Sequence, residues 1–546
     1  MTVENKLRVR QSIISLQEDY ERGNKKPLED LMRAWKGIKE LPPDDPHSFF
    51  ALGGYHGEPF QYRKTVDNLA PEDSYLYWGG YCNHGNVLFP TWHRLYVLKL
   101  EEALQSIVPG VTLPYWDESD AYSLAKGIPP VLTQEKFELD GIILDNPLRS
   151  FVLPSSLSDA IPTEQRVYEK PRGYETVRYP LSGLVGTEEA RQATEEHNAQ
   201  YSDWNERNAL LNKNVRAWLR GAPPTADDPN PSTNGVYAKL QECLAAPNYT
   251  VFSNTTSATQ WNLINPGKVT AVESPHNAIH LAVGGFDFPG HQYGQLKGAN
   301  GDMGENNTAG MDPIFFFHHC NIDRMFWLWQ KRHGMRDTLD VIRDFAGTSS
   351  SDDQGPTPGF PPGQALNLTT PLNPFKKADG TAYTSNDCIN IETQLGFTYA
   401  PGSLDEDLAT AQPMALALEA RRTSPKLHVS GVSRTAIQGS FIISAYALLP
   451  GQGGKPERYE LGHSAVLSRY NVAKCANCLT HVDVMAHFPL DVLTASERQQ
   501  ADYRVELHSH AGTIPLTQGT SMAPQTTFAT VMPNKPASPV EIRVID

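Results

Sequence analysis

The sequence predicts a mainly α-helical domain with long loops over residues 1–400, a linker over 401–428 and a C-terminal β-sandwich over 429–546. Three observations predict this division. Apolar residues recur at helical spacing in several segments before residue 400. Between Pro401 and Ser424 the chain turns acidic, then Ala/Leu-rich, then basic at Arg421-Arg422. Beyond that stretch, short apolar and β-branched runs alternate with turn signals, the pattern of a sandwich.

The 546 residues suffice for two or more domains and a large core. The net charge of −15, with no long basic run, argues against nucleic acid and against an anionic membrane surface as partners. No run of about 18 apolar residues indicates a membrane span. The start, Met-Thr-Val-Glu-Asn-Lys, lacks the apolar core of a signal peptide, so a soluble cytoplasmic protein is expected. The sequons at Asn248 and Asn254 then carry no meaning. Six cysteines, at 82, 243, 320, 388, 475 and 478, do not make a disulfide scaffold.

Taken in order, Val9, Ile13 and Leu16, then Leu28, Leu31, Met32 and Trp35, predict helix over residues 5–40. A Pro-rich loop from Leu41 ends it, and His56 follows in the glycine-rich turn Leu52-Gly-Gly-Tyr-His-Gly. Residues 78–87 form a Gly/Asn-rich loop that holds Cys82 and His84. A helix opens near Phe89 with Thr91 as its N-cap and His93 in its first turns. Leu113-Pro-Tyr-Trp-Asp reads as a short buried segment. Residues 120–265 show little chemistry, and His197 is expected on the surface. Residues 346–376, rich in Ser, Pro and Gly, are expected to be loop. The tail's strands are expected near 440–448, 481–488, 503–509 and 540–544, and no internal repeat is present.

Chemistry concentrates in the histidines. The stretch Asp312 to Trp329 sets His318 and His319 between an aromatic run and a helical pattern. His276 and His280 are four residues apart; on a helix that is about 40° of rotation and roughly 6 Å of rise, so both rings leave one face. Adjacent helical residues diverge by about 100°, so His318 and His319 compete for one role. Two sets of three emerge: His56, His84 and His93, and His276 and His280 with one of the adjacent pair. A lone histidine in a glycine loop is usually structural; only the set is specific. Neutral imidazoles suit copper, zinc, iron or nickel, and the absence of a carboxylate disfavours a facial-triad iron site. Three histidines on one ion leave a position open for a small ligand. Glu273, one helical turn before His276, also suits a helix N-terminus. Cys475-Ala-Asn-Cys478 is by itself a weak zinc or redox signal.

In order along the chain, Gly54-Tyr-His-Gly57, Cys82-Asn-His84, Phe89-Pro-Thr-Trp-His93-Arg, Leu113-Pro-Tyr-Trp-Asp, His276-Asn-Ala-Ile-His280 and Asp312-Pro-Ile-Phe-Phe-Phe-His-His319 resemble the motifs of the tyrosinases. This is the type-3 copper family, which includes catechol oxidases and molluscan haemocyanins. The resemblance covers roughly residues 50–120 and 270–330. Leu395-Gly-Phe-Thr-Tyr399 resembles the motif that closes the catalytic domain, with Phe397 where tyrosine is commoner. The resemblance implies a four-helix bundle holding two copper ions, cycling between Cu2+ and Cu+. His56, His84 and His93 hold one; His276, His280 and His319, preferred to His318, hold the other. It implies oxidation of monophenols and o-diphenols (tyrosine, DOPA, catechols) to o-quinones, with O2 as co-substrate, as in melanin formation. It further implies a Cys82–His84 thioether, and a water held by Glu273 and Asn277 that deprotonates a monophenol. Cys475 and Cys478 are implicated in copper loading; soft thiolates favour Cu(I). The tail is implied to be a lid that keeps the enzyme latent, with Val466 or Leu467 as its plug. Partners are small phenols, and a homo-oligomer is compatible.

Alternatives share parts of this pattern. A catechol or o-aminophenol oxidase without hydroxylase activity has every ligand. A haemocyanin-like O2 carrier has the copper set, against which stand the single unit and the missing secretion signal. A zinc hydrolase with one three-histidine site leaves the second set unexplained.

Overall fold

The structure, a computed structural model, describes residues 7–57, 80–158, 169–183, 188–222, 231–289, 301–350, 363–405, 422–437, 439–451, 454–468, 483–522 and 538–546. Two short strands tie the ends of the helical domain together: β1 (Arg8–Arg10) pairs in parallel with β2 (Phe397–Tyr399). The helices that build the domain are α1 (Lys26–Glu40), α2 (Phe89–Ile107), α3 (Trp204–Arg220), α4 (Glu273–Gly284) and α5 (Ile314–Arg332). α2, α3, α4 and α5 form the bundle: α2 packs on α5, α5 on α4 and α4 on α3, while α1 lies against α2. α1 is amphipathic, with Leu28, Leu31, Met32, Trp35 and Ile38 buried on one face. α5 is buried all round from Ile314 to Gln330, as its aromatic run requires. Among the described residues no helix is long and apolar enough to cross a membrane.

Buried charges set how the helices register. Arg10 donates to Glu101 of α2 at 2.8 Å and to the Tyr399 hydroxyl at 3.0 Å. Tyr399 donates to Asp323 of α5 at 2.6 Å, and Arg94 of α2 donates to the other oxygen of Asp323 at 2.5 Å. This chain links β1, α2, β2 and α5. At the start of α5, Asp312 takes two bonds from Arg178, at 2.7 and 2.6 Å, and one from Ile314 N at 3.1 Å.

Several local expectations need correction. Residues 8–10 are strand, and helix begins only at Ile13, where Ser12 accepts from Ile14 N. Thr91 is not an N-cap: α2 begins at Phe89, with Pro90 in its first turn, and Thr91 Oγ1 instead meets Ser385 Oγ at 2.8 Å. Pro371–Lys376, within the expected loop, is a strand paired with Ala382–Thr384. His197 is only partly exposed, because its Nε2 donates to the Pro180 carbonyl at 2.7 Å.

In the tail, β3 (Lys426–Ser433), β4 (Phe441–Leu449), β5 (Glu457–Val466), β6 (Asp483–Pro489), β7 (Asp502–Ser509), β8 (Gly512–Leu516) and β9 (Glu541–Ile545) form two sheets, ordered β5-β4-β7-β8 and β6-β3-β9. Val429, Phe441, Ile443, Leu461, Phe488 and Leu507 share the apolar layer between them, which makes a sandwich. β3 begins at Lys426, inside the stretch expected to be linker. Its ammonium is buried and donates to the carbonyls of Asn262, Asn265 and Gly267 at 2.6–2.7 Å, which anchors the tail to the helical domain. Residues 406–421 of the expected linker, and Cys475, Cys478 and His481, lie outside the described residues.

Candidate metal centre

Each candidate histidine is positioned by a local device. His56 follows the short helix Phe49–Gly53, which Ser48 caps by accepting from Ala51 N. Its turn needs glycine at 57, because a Cβ there would lie 2.0 Å from the Asn307 carbonyl. His84 sits in a loop that Asn86 ties down by donating to the His84 carbonyl and accepting from Leu88 N. His93 lies on α2, His276 and His280 on one face of α4, and His318 and His319 on α5. All seven are buried.

Most of these rings have one nitrogen tied to oxygen. Nδ1 of His93 faces the Phe89 carbonyl at 2.8 Å, Nδ1 of His280 the Met303 carbonyl at 2.8 Å, and Nδ1 of His56 the Asn306 carbonyl at 3.2 Å. Nδ1 of His276 faces Asn277 Oδ1 at 2.9 Å. An oxygen of this kind can only accept, so these Nδ1 atoms carry the proton and Nε2 keeps its lone pair. Yet His276 Nε2 and His280 Nε2 stand 3.1 and 3.3 Å from His319 Nε2. Lone pairs that close, in a buried space, call for a cation. Two nitrogens each about 2.0 Å from one ion, at about 105°, stand roughly 3.2 Å apart, which fits. His56, His84 and His93 form a second group whose ligand atoms lie within 4.8 Å of one another. Neither ring nitrogen of His84, nor His93 Nε2, has a hydrogen-bond partner among the described residues. The two groups face each other in pairs: ring centroids are 4.6 Å apart for His93 and His319, 5.6 Å for His84 and His276, and 6.5 Å for His56 and His280.

Burial keeps the rings neutral. It pushes His84, His276, His280 and His319 well below the usual imidazole range, and neighbouring imidazoles add to the shift for all four. His93 and His318 are pushed down to about 3, again by burial. A neutral imidazole is the ligand form, so the cluster is ready for a metal over a wide pH range.

His318 stands apart. Its Nδ1 lies 2.5 Å from Glu118 Oε1, and Asn321 donates to the other oxygen of Glu118 at 3.2 Å. Burial pushes Glu118 well above the usual carboxylate range. His318 still belongs to the same group as His276, His280 and His319, so grouping alone does not choose between the adjacent pair. Contact does favour one: His319 brings Nε2 within 3.3 Å of both partners. Glu118 escaped the sequence reading, although the paired carboxylates Asp117-Glu118 directly after an apolar Leu-Pro-Tyr-Trp run were a usable signal.

Glu273 is fully buried and accepts from Gly85 N at 2.8 Å, Thr255 N at 2.8 Å and Thr255 Oγ1 at 2.9 Å. It therefore joins the His84 loop to the first turn of α4. Asn277 orients His276 and also lines a cavity of about 320 Å³ at the seam with the tail, together with Ser274, Arg434, His463, Val466 and His487. Cys82 is buried and free, 3.8 Å from Asn306 Nδ2, and burial pushes its thiol up to about 12. Val466 packs in the sandwich core, whereas Leu467 packs with the core of the helical domain.

A family model described as the common central domain of tyrosinase matches residues 46–332, more than half of the chain and the part that holds all seven histidines. The chain belongs to the tyrosinase family. Among its relatives, a tyrosinase of Hahella sp. is 62% identical over 516 residues, covering 93% of this chain and 92% of the relative. A tyrosinase of Aspergillus oryzae is 40% identical, covering 89% and 91%. The solved structure of a Burkholderia thailandensis tyrosinase superposes with a TM-score of 0.83 at 65% identity, over 92% of this chain and 94% of that one. The helical domain with its histidine clusters and the C-terminal sheets thus make the tyrosinase fold. The chain is an enzyme, and copper-dependent oxidation of phenols is the general chemistry of its family.

Contact at His319 generates a direct prediction. Substituting His319 by Ala should remove about one copper per chain, because three-coordinate binding loses a ligand, whereas His318→Ala should leave copper content near that of the parent. Copper analysis of the two purified variants checks this; the reverse order would make His318 the ligand.

Proposed function

We propose that the chain oxidises monophenols and o-diphenols, such as tyrosine, DOPA and catechols, to o-quinones with O2. The observation that carries the proposal is the pair of facing three-histidine groups, His56, His84 and His93 against His276, His280 and His319. Bound there, two copper ions supply the exchange of electrons with dioxygen and phenol. The chain's own residues do the rest. Carbonyls of Phe89, Met303 and Asn306 hold three rings with Nε2 inward. The buried surroundings of Phe89, Phe315 and Trp92 keep bulk water from the ligand face.

A monophenol differs from a catechol in the proton it must lose with only one oxygen to present, a proton of pKa about 10. Glu273 and Asn277 bracket His276, and Asn277 also lines the cavity at the seam with the tail. We assign them the removal of that proton through a held water. Glu273 also ties down the His84 loop, so two variants are needed to separate the roles. Asn277→Ala and Glu273→Gln should each lower monophenol turnover about tenfold or more, with a smaller loss on the diphenol. Steady-state rates on tyrosine and DOPA check this; equal losses on both would make the residues structural, and a parent chain inactive on tyrosine would make it a catechol oxidase.

Cys82 is assigned a thioether to His84, which would remove an oxidisable thiol beside copper. Matured protein should then be lighter by two hydrogens and refuse alkylation at Cys82; ready alkylation in active enzyme would refute the bond.

The sandwich is assigned the role of a lid, with Leu467 rather than Val466 as the plug. Leu467 is fully buried and packs with the helical domain, while Val466 packs in the sandwich core and borders the seam cavity. Arg422, exposed before β3, offers a site for trypsin-like cleavage. Leu467→Ala, or cleavage there, should raise diphenol turnover with copper content constant. Unchanged turnover in fully loaded protein would leave the tail without a lid function.

A further inference from the structure

The segment Asp302–Met311 runs between α4 and the loop of His56, and it serves both histidine groups. Its Met303 carbonyl accepts from His280 Nδ1, and its Asn306 carbonyl accepts from His56 Nδ1. One carbonyl therefore orients a ring on each side of the centre. The strap itself is held from three directions. Asp302 is buried, pairs with Lys170, and accepts from Tyr174 OH at 2.7 Å and Val177 N at 2.8 Å. Against α4 the backbones are in contact: a Cβ on Gly284 would stand 1.7 Å from Gly304 N.

The third direction is the tail. Ser440 Oγ donates to the Gly304 carbonyl at 2.7 Å and accepts from Ser468 N at 2.9 Å. Asn306 N donates to the Ser468 carbonyl at 3.3 Å. Ser440, Ser468, Gly304 and Asn306 are all buried. The peptide groups gripped by the tail directly adjoin those that face His280 and His56. Peptide units are planar, so a turn of one must be absorbed by its neighbours and is felt at both carbonyls. Partners of metal ligands act on affinity in just this way, by fixing ring orientation.

We propose that Ser440 and Ser468 are positioning residues for the metal centre, so that docking of the C-terminal sandwich tightens retention of both copper ions. The inference rests on the six-histidine reading above. It gives the tail a function opposed to that of a lid: displacing the tail opens the site and loosens its metals together.

The test uses full-length chain loaded with copper and then challenged with excess chelator, with release followed in time. Copper content of the parent chain, measured first, tests the six-histidine reading separately. Ser440→Ala should release both coppers about five- to tenfold faster than the parent. Ile514→Ala, at an exposed side chain of the tail, should match the parent. Should Ser440→Ala give no soluble protein, Gly439→Ala is read by the same criteria, because its Cβ would lie 3.2 Å from Glu305 Oε1 at a φ of +73°. Release at the parent rate, or acceleration of one copper alone, overturns the proposal even where two coppers bind and turnover is intact.

Discussion

The constraint on which this structure depends is that seven imidazoles are buried together and kept neutral. A buried polar nitrogen without a partner is costly. The fold meets half of that need with oxygen: four rings direct Nδ1–H to Phe89, Met303, Asn306 or Asn277. That choice fixes the tautomer and leaves the lone pairs pointing at one another. A shared proton bridges at most two such lone pairs, and burial disfavours the charged ring; a metal cation can engage three. A geometry that leaves lone pairs facing one another is therefore one that suits a bound metal, which would link folding to metal affinity.

Keeping those rings in register requires that the helices not slide. Apolar packing alone is tolerant of small shifts, and α2 and α5 carry facing histidines, His93 and His319. The buried chain Arg10–Glu101 and Arg10–Tyr399–Asp323–Arg94 spans both helices and both ends of the domain. Such ions are retained because removing one partner strands the other, at about 3–5 kcal/mol. Asp312 and Arg178 repeat the device at the start of α5, seven residues before His319. The polar network that surrounds the aromatic core is thus what sets the positions of the clustered histidines.

Much of this was legible in the sequence, because it rested on side chains in pattern. The two histidine sets, the i,i+4 pair on α4 and the strand-rich tail could be read directly, and the motifs around them pointed to the family. What could not be read was backbone work. The strap from Asp302 to Met311 has no apolar period, and its contribution is carbonyls that reach His280 and His56 from far along the chain. The same holds for Lys426, whose three carbonyl partners move the start of β3 into a stretch that composition marks as linker. Thr91 had the chemistry of a cap, but Pro90 let the helix start earlier. Glu273 was found by its position beside His276, while its bonds to Gly85 and Thr255 depended on tertiary contact. The adjacent pair His318 and His319 was separable only by family resemblance until their nitrogens could be placed.

Metal stoichiometry bears most directly on the facing histidine groups. Purified full-length chain, stripped of metal and titrated with copper, should take up two ions per chain, and a His93→Ala variant, with only the His276, His280 and His319 group intact, should take up one. Saturation of the parent chain at a single ion, or two ions still bound after His93 is removed, would contradict the facing three-histidine groups as the centre of this protein.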